Sequence, residues 1–282
     1  MDRLRVMKGH GTENDFVIVP DFEGALELTP ELARALCDRH SGIGADGVLR
    51  AVRCENDPVG ATMAGDAVYF MDYRNADGSV AEMCGNGVRV FVRYLQSVGV
   101  VVDSAAVATR GGVKRTWLTD EGGVIVDMGV PMILADRPVA TAAPSVRRVA
   151  GVAVELPNPH VVVPVAGRDE LDALDLSRPP RVEPTRPDGQ NVEFVVREGL
   201  RQLRMRVHER GVGETRSCGT GICAVVAAAD GAGPDGSTWT VDVPGGSCQV
   251  TWQPDGVMHL RGPAVLVADV ELSADWLSRV QG

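Results

Sequence analysis

Two cysteines head two similar segments of this chain: AEMCGNGVRVFVRYL over Ala81–Leu95 and TRSCGTGICAVVAAA over Thr215–Ala229. Cys84 and Cys218 lie 134 positions apart, and at the same offset Gly85 matches Gly219 and Gly87 matches Gly221. Val88, Phe91, Val92 and Leu95 match Ile222, Val225, Val226 and Ala229. The spacing i, i+3, i+4, i+7 predicts one face of an amphipathic helix. Each cysteine therefore reads as the start of a helix in one of two related half-molecules. Glycines there cost helix stability and make sense where a ligand must approach the backbone closely. Helix-start amides and the macrodipole favour an anion, and the same field is expected to lower a thiol pKa from about 8.5 toward neutrality. Two such thiols suit one reaction: a base removes a proton from one face of an α-carbon and an acid delivers one to the other. The helix-start amides would stabilise the charge that develops on the carboxylate.

The remaining cysteines, Cys37, Cys54, Cys223 and Cys248, read as small buried hydrophobes. No pair has C-x-x-C spacing, so no structural metal is expected. The chain is long and shows no secretory leader, which favours free thiols. Lysine occurs only at positions 8 and 114, and the other 26 basic residues are arginines. Pyridoxal phosphate needs a Schiff-base lysine. Neither Lys8 nor Lys114 lies in a phosphate-binding context, so a cofactor-free mechanism is expected. Gly42–Gly47, GIGADG, matches G-x-G-x-x-G, but a helix pattern precedes it and the strand-like GVLRAV follows. A dinucleotide fingerprint needs the reverse order, so these glycines read as a helix-to-strand turn.

The elements that must carry the cysteines recur in the two halves. Phe16–Pro20 reads as a strand, and Leu28–Asp38 as a helix capped by Thr29 with Pro30 at its first position. Gly47–Arg53, Ala67–Asp72 and Val124–Met128 read as further strands. In the second half Asn158–Pro164 resembles Asn14–Pro20 at an offset of 144. Val192–Arg197, Leu203–His208, Trp239–Val243, Cys248–Trp252 and Val257–Arg261 follow as strands. The ten-residue difference between the two offsets is assigned to the loop Glu55–Gly65. A boundary is expected near Pro131, with Met132–Ser145 as linker, giving one half from residues 1–131 plus 264–282 and the other from 132–263. The net charge of −10 and pI near 5.0 come with no basic stripe, so nucleic acid is not an expected partner. No run of 18 apolar residues is visible, and the chain reads as soluble and cytoplasmic, with no membrane partner.

The stretches GHGTENDFVIV, CDRHSGIGADGVL, NADGSVAEMCGNGVR, DMGVP, PNPHVVV, DGQNVEFV and HERGVGETRSCGTG together resemble the diaminopimelate epimerase family over nearly the whole chain. The resemblance implies an α/β (α+β) fold of two pseudo-symmetric domains, each a mostly antiparallel sheet or barrel wrapped round a central helix. It implies a pyridoxal-independent isomerase of lysine and peptidoglycan-precursor biosynthesis that interconverts L,L- and meso-diaminopimelate. It further implies that Cys84 and Cys218 are the catalytic pair, one a thiolate base and the other a thiol acid. The amides of Gly85, Asn86, Gly219 and Thr220 would hold the reacting carboxylate. Asn14, Asn75, Asn158 and Asn191 match the substrate-binding asparagines. Arg210 and Glu209 match the pair that reads the distal carboxylate and ammonium, and His160 and Glu209 match positions that tune the cysteines. A homodimer is also implied, although Ala268 stands where relatives often carry a tyrosine associated with the dimer. Some relatives have glutamine at the position of Gly47.

Three other functions compete with this one, of which an isomerase of the phenazine-biosynthesis type on the same scaffold lacks this cysteine pair. A proline or hydroxyproline racemase also uses two cysteines, but a cyclic monocarboxylate would leave Glu209, Arg210 and the four asparagines with little to bind. A thiol redox sensor or binding module would predict disulfide switching without turnover.

Overall fold

The structure, a computed structural model, describes residues 4–144, 147–230 and 233–281. The chain divides into two compact units, Met1–Val126 with Pro263–Gly282, and Asp127–Gly262. The strands of the first stretch are β1 (Arg5–Gly11), β2 (Asn14–Pro20), β3 (Gly47–Arg53), β4 (Tyr69–Asn75), β5 (Ser104–Thr109), β6 (Gly112–Leu118) and β7 (Gly123–Gly129). The second unit carries β8 (Met132–Ile133), β9 (Val139–Thr141), β10 (Val149–Ala150), β11 (Val152–Leu156), β12 (Asn158–Pro164) and β13 (Arg181–Glu183). It continues with β14 (Asn191–Gly199), β15 (Gln202–Glu209), β16 (Gly213–Thr215), β17 (Thr238–Val243), β18 (Gly246–Trp252) and β19 (Met258–Pro263), after which β20 (Val265–Glu271) belongs to the first unit. The helices are α1 (Pro30–Cys37), α2 (Gly85–Ser97), α3 (Arg168–Ala173), α4 (Gly219–Ala229) and α5 (Ala274–Gln281).

Each unit repeats one order of strand pairing. In the first, β20, β1, β2, β3, β4, β5, β6 and β7 are successive neighbours. In the second, β8, β11, β12, β14, β15, β17, β18 and β19 are. Both runs are antiparallel except at the third and fifth junctions, β2–β3 with β4–β5 and β12–β14 with β15–β17, which are parallel. A parallel junction needs a crossover, and the crossover between the second parallel pair is the central helix, α2 in one unit and α4 in the other.

The central helices are more deeply enclosed than an amphipathic pattern predicts. Helix α2 touches β1, β2, β3, β5, β6 and β20, and α4 touches β11, β12, β14, β15 and β18. Every residue of Gly85–Val92 and of Gly219–Ala227 is buried. The matching apolar positions mark only part of that enclosure; Asn86, Arg89 and Val90 in α2 and Thr220, Cys223 and Ala224 in α4 are buried with them. The outer faces of the strands are covered as well. Val6, Val17, Val19 and Val48 pack with Leu32, Leu36 and Leu277 from α1 and α5. Val161, Val163, Val192 and Phe194 pack with Leu171 of α3 and Val182 of β13. Burial on both faces explains the continuous apolar runs FVIV and HVVV.

Helix α1 begins as its sequence signals require: Thr29 Oγ1 accepts from Leu32 N at 3.2 Å, and Pro30 occupies the first turn. GIGADG is the turn that carries α1 into β3, with Gly44 at φ +78°. A Cβ at Gly47 would lie 2.6 Å from both Arg74 O and the Tyr73 ring, so this backbone admits no side chain at that position. Two expectations are corrected. Ala67 closes a turn onto Met63 O instead of opening a strand, and β4 starts at Tyr69. Met132–Ile133 and Val139–Thr141 are strands paired within the second unit instead of linker; Ser145 lies outside the described residues. The loop Glu55–Gly65 is held in place, since Asp57 accepts from Val59 N, Gly60 N and the buried Arg50, which also binds Asp21. All six cysteines are free thiols. No helix among the described residues is long and apolar enough to cross a membrane.

Candidate active site

Four strand and helix ends make a half-site in each unit, and the pairing register fixes which residues correspond. Asn14 and Asn158 open β2 and β12. Phe16 pairs with Gly47, and Gly47 with Asn75. In the second unit His160 pairs with Asn191, and the antiparallel register that sets Val192 opposite His208 brings Asn191 to Glu209. Gly47 thus corresponds to Asn191, and Asn75 to Glu209. The fourth position is the helix N-cap, Cys84 or Cys218.

The cysteines themselves are close copies. Cys84 has φ −136° and ψ 118°, and its Sγ accepts from Gly87 N at 3.4 Å. Cys218 has φ −127° and ψ 112°, and its Sγ accepts from Gly221 N at 3.4 Å. A cap residue of this geometry satisfies one of the unpaired amides that open a helix. Sulfur in the capping role leaves the thiol in the field of those amides.

Around Cys84 the partners are amides. Its thiol donates to Asn14 Oδ1 at 3.6 Å, Asn86 Nδ2 donates to the same oxygen at 3.3 Å, and Asn14 Nδ2 donates to Asp46 Oδ2 at 2.8 Å. Asn14 is delivered by the β1–β2 turn, where Thr12 and Glu13 have φ of +49° and +60°. Two positive φ values across a two-residue hairpin are ordinarily supplied by Asn-Gly or Gly-Gly. Here the turn is braced by Arg89 of α2, fully buried, whose Nη2 donates to Thr12 Oγ1 at 3.2 Å and whose Nε donates to Pro263 O at 3.2 Å. Among the described residues no carboxylate pairs with Arg89. Asn75 sits at the end of β4, and its Nδ2 donates to Ser79 Oγ at 3.0 Å.

Around Cys218 the partners are the carboxylates of Glu209 and Glu193 and the hydroxyl of Thr220. Burial, followed by the charges of Glu209 and Glu193, pushes the Cys218 thiol well above its ordinary pKa. The expected lowering by the helix field is therefore overturned at this cysteine: desolvation and two carboxylates outweigh one helix start. Burial also raises Glu209, against a hydrogen bond from Thr215 Oγ1 and another with Cys218. His160 Nδ1 lies 2.7 Å from Glu193 Oε1, and its Nε2 lies 2.9 Å from Asn158 Oδ1. Asn191 Oδ1 accepts from Arg210 N at 2.9 Å. The Arg210 side chain is exposed and donates to Asp188 O at 3.2 Å. Thr220 Oγ1 lies 3.5 Å from Cys218 Sγ, and Gly219 is buried beside it.

Cys84, Asn14 and Asn86 thus converge in one half-site, with Gly85 in the same helix start. Cys218, Glu209, His160, Asn158, Thr220 and Gly219 lie in the other, with Asn191 and Arg210 joined at its edge. Sequence reasoning missed Arg89 and Glu193. Each is a charged residue inside an apolar run, VRVFVRYL and NVEFVV, and that interruption was the available signal.

The two units make a duplicated, helix-centred fold. A solved hydroxyproline epimerase from Agrobacterium vitis shares it with a TM-score of 0.69 at 14% identity, over 97% of this chain and 93% of that one. The family follows from closer relatives. The sequence profile of diaminopimelate epimerase matches residues 6–134 and 152–267. Diaminopimelate epimerase of Streptomyces coelicolor is 52% identical over 289 aligned positions, spanning 99% of this chain and 98% of that protein. That of Thermobifida fusca is 50% identical, spanning 96% and 99%. The chain belongs to the diaminopimelate epimerase family and is an isomerase.

Proposed function

We propose that the protein epimerises one α-carbon of 2,6-diaminopimelate, interconverting the L,L and meso forms, without pyridoxal phosphate or metal. The observation that carries this reading is the repeated helix N-cap: one thiol per unit, in the same backbone conformation, accepting from the amide three residues on at the same distance. One thiolate takes the α-proton from one face of the carbon, and the other thiol gives its proton to the opposite face. The carbanion formed between the two transfers places charge on the α-carboxylate, where the amides of Gly85, Asn86, Gly219 and Thr220 would hold it. The raised pKa of Cys218 suits it to the acid role in the resting enzyme, and we assign to Cys84 the role of base in the first turnover. Reversal of direction exchanges the roles.

Substrate selection is assigned to the asymmetric positions. Arg210 presents a guanidinium suited to two-pronged binding of the distal carboxylate, and Glu209 lies one residue away for the distal ammonium. Asn14, Asn75, Asn158 and Asn191 supply amide donors and acceptors to the rest of the chain. A proline-type substrate has no group for Arg210 to bind. We place the enzyme in the cytoplasm, as a homodimer, on the strength of the family alone. The test is conversion of L,L-diaminopimelate by the reduced protein, with proline as the control. Conversion of the former alone is expected; absence of conversion, or equal turnover of proline, overturns the reading.

A further inference from the structure

His160 and Glu193 form a completely buried pair, and neither side chain has any exposure. Both nitrogens of the ring face oxygen: Nδ1 faces Glu193 Oε1 at 2.7 Å, and Nε2 faces Asn158 Oδ1 at 2.9 Å. An amide oxygen only accepts, and so does a carboxylate. A neutral imidazole has one N–H and can satisfy only one of the two. Glu193 Oε2 has no hydrogen-bond partner in the structure. A carboxylate at zero exposure with a single polar neighbour is costly unless that neighbour carries the opposite charge.

The other half of the molecule shows that packing does not require an acid here. By register Leu49 of β3 corresponds to Glu193 of β14. A Cβ placed on Gly87 would lie 3.3 Å from Leu49 Cδ2, and one placed on Gly221 would lie 2.7 Å from Glu193 Oε1. Leucine and glutamate thus press on the same glycine in the first turn of each central helix. An apolar side chain fills the position in one unit; the second unit spends it on a charge.

We propose that Glu193 is a positioning residue that holds His160 as an imidazolium, with Nδ1–H bound to Glu193 and Nε2–H bound to Asn158 Oδ1. The ring then fixes the Asn158 amide, so that its Nδ2 is the group presented to substrate. The ring's positive charge then offsets the Glu193 charge that otherwise adds to that of Glu209 against Cys218. The ionisable groups facing the ring are Glu193 from β14 and Glu209 from β15, and Cys218 at the start of α4 faces the two carboxylates. Asp136 and Arg186 line a small cavity of about 50 Å3 behind the ring, and Arg186 is paired with Glu155 at 2.7 Å. The role in turnover rests on the epimerase reading above; the protonation state does not.

The experiment uses protein labelled with 15N in its histidine rings, free of substrate, with His160→Gln as the assignment control. Native protein is expected to show two protonated ring nitrogens at His160 at neutral pH, and Glu193→Leu and Glu193→Gln a single one. Both variants should lose about ten- to a hundredfold in kcat/KM, the scale of a lost hydrogen bond to a charged group. Glu193→Asp should restore part of both signals. A merely structural role would lower stability without altering the protons on the ring. One ring proton in the native protein, or two in Glu193→Leu, overturns the proposal. A doubly protonated native ring in a protein that does not epimerise diaminopimelate supports the assignment to Glu193 and removes the substrate reading instead.

Discussion

The two half-sites are built on one frame and carry different ionisable groups. Beside Cys84 lie the side-chain amides of Asn14 and Asn86, with Asp46 behind Asn14, and, one helical turn on, a buried arginine. Beside Cys218 lie Glu209 and Glu193, with His160 paired to Glu193. The position of Arg89 is held in the second unit by Cys223, fully buried, and that of Glu193 is held in the first by Leu49. Duplication supplies two thiols in equivalent geometry, and divergence of their surroundings makes them unequal. A reaction that needs an acid and a base in the same resting enzyme requires that inequality. The far ends of the central helices differ as well. Tyr94 and Leu95 of α2 correspond to Ala228 and Ala229 of α4, and a groove of about 370 Å3 lies there, lined by Val162, Val195, Leu203 and Val225.

The thiols should show the largest effects. Cys84→Ser and Cys218→Ser are each expected to lower kcat by about 10²–10⁴-fold, the range for losing a positioned proton donor or acceptor. Near-native rates in either would break the claim that both halves take part. Removing the buried cation comes next. Arg89→Met removes the guanidinium bonds to Thr12 Oγ1 and Pro263 O and is expected to cost about 2–4 kcal/mol in urea unfolding, whereas Cys223→Ala at the equivalent position should cost about 1 kcal/mol. Equal costs would mean that the two helices are braced alike. A smaller effect tests the charge difference itself. The Glu209 carboxylate raises the Cys218 pKa, so Glu209→Gln should lower it, increase the thiolate fraction at neutral pH and speed alkylation of Cys218 about tenfold, with Cys84 little changed. A slower reaction would reverse the sign of the argument. Smallest is the groove: Ala228→Leu should raise stability by about 1 kcal/mol by filling apolar space, and a loss would show that the alanine end of α4 is already well packed.

Much of this asymmetry was hidden in the sequence, while the frame was open to view. The Cys-Gly-x-Gly repeat and the apolar runs after Asn14 and Asn158 marked both helix starts and both second strands, because cap chemistry and continuous burial leave local signatures. The Thr29–Pro30 start of α1 was legible for the same reason. Glu193 was not. In NVEFVV a period-of-two reading turns the glutamate toward solvent, but in this fold both sheet faces are covered, and the inward face meets α4. Arg89 was missed because a helix pattern assigns arginine to the wet side, and α2 has no wet side over that stretch. Strand β8 is two residues long and gains its order from pairing with β11, a contact no local pattern announces. The lowered thiol pKa expected for Cys218 failed on the same ground, since the helix start could be read from sequence and the carboxylates packed around it could not.

The most direct test of the two-thiol account is the fate of hydrogen in the first turnovers in deuterium oxide. If one thiol removes the α-proton and the other delivers a different one, product formed at early times should carry deuterium at the inverted α-carbon while the unconverted substrate keeps its hydrogen. Early product that retains the original hydrogen would mean that a single group carries the proton from one face to the other, and the division of labour between Cys84 and Cys218 would be contradicted.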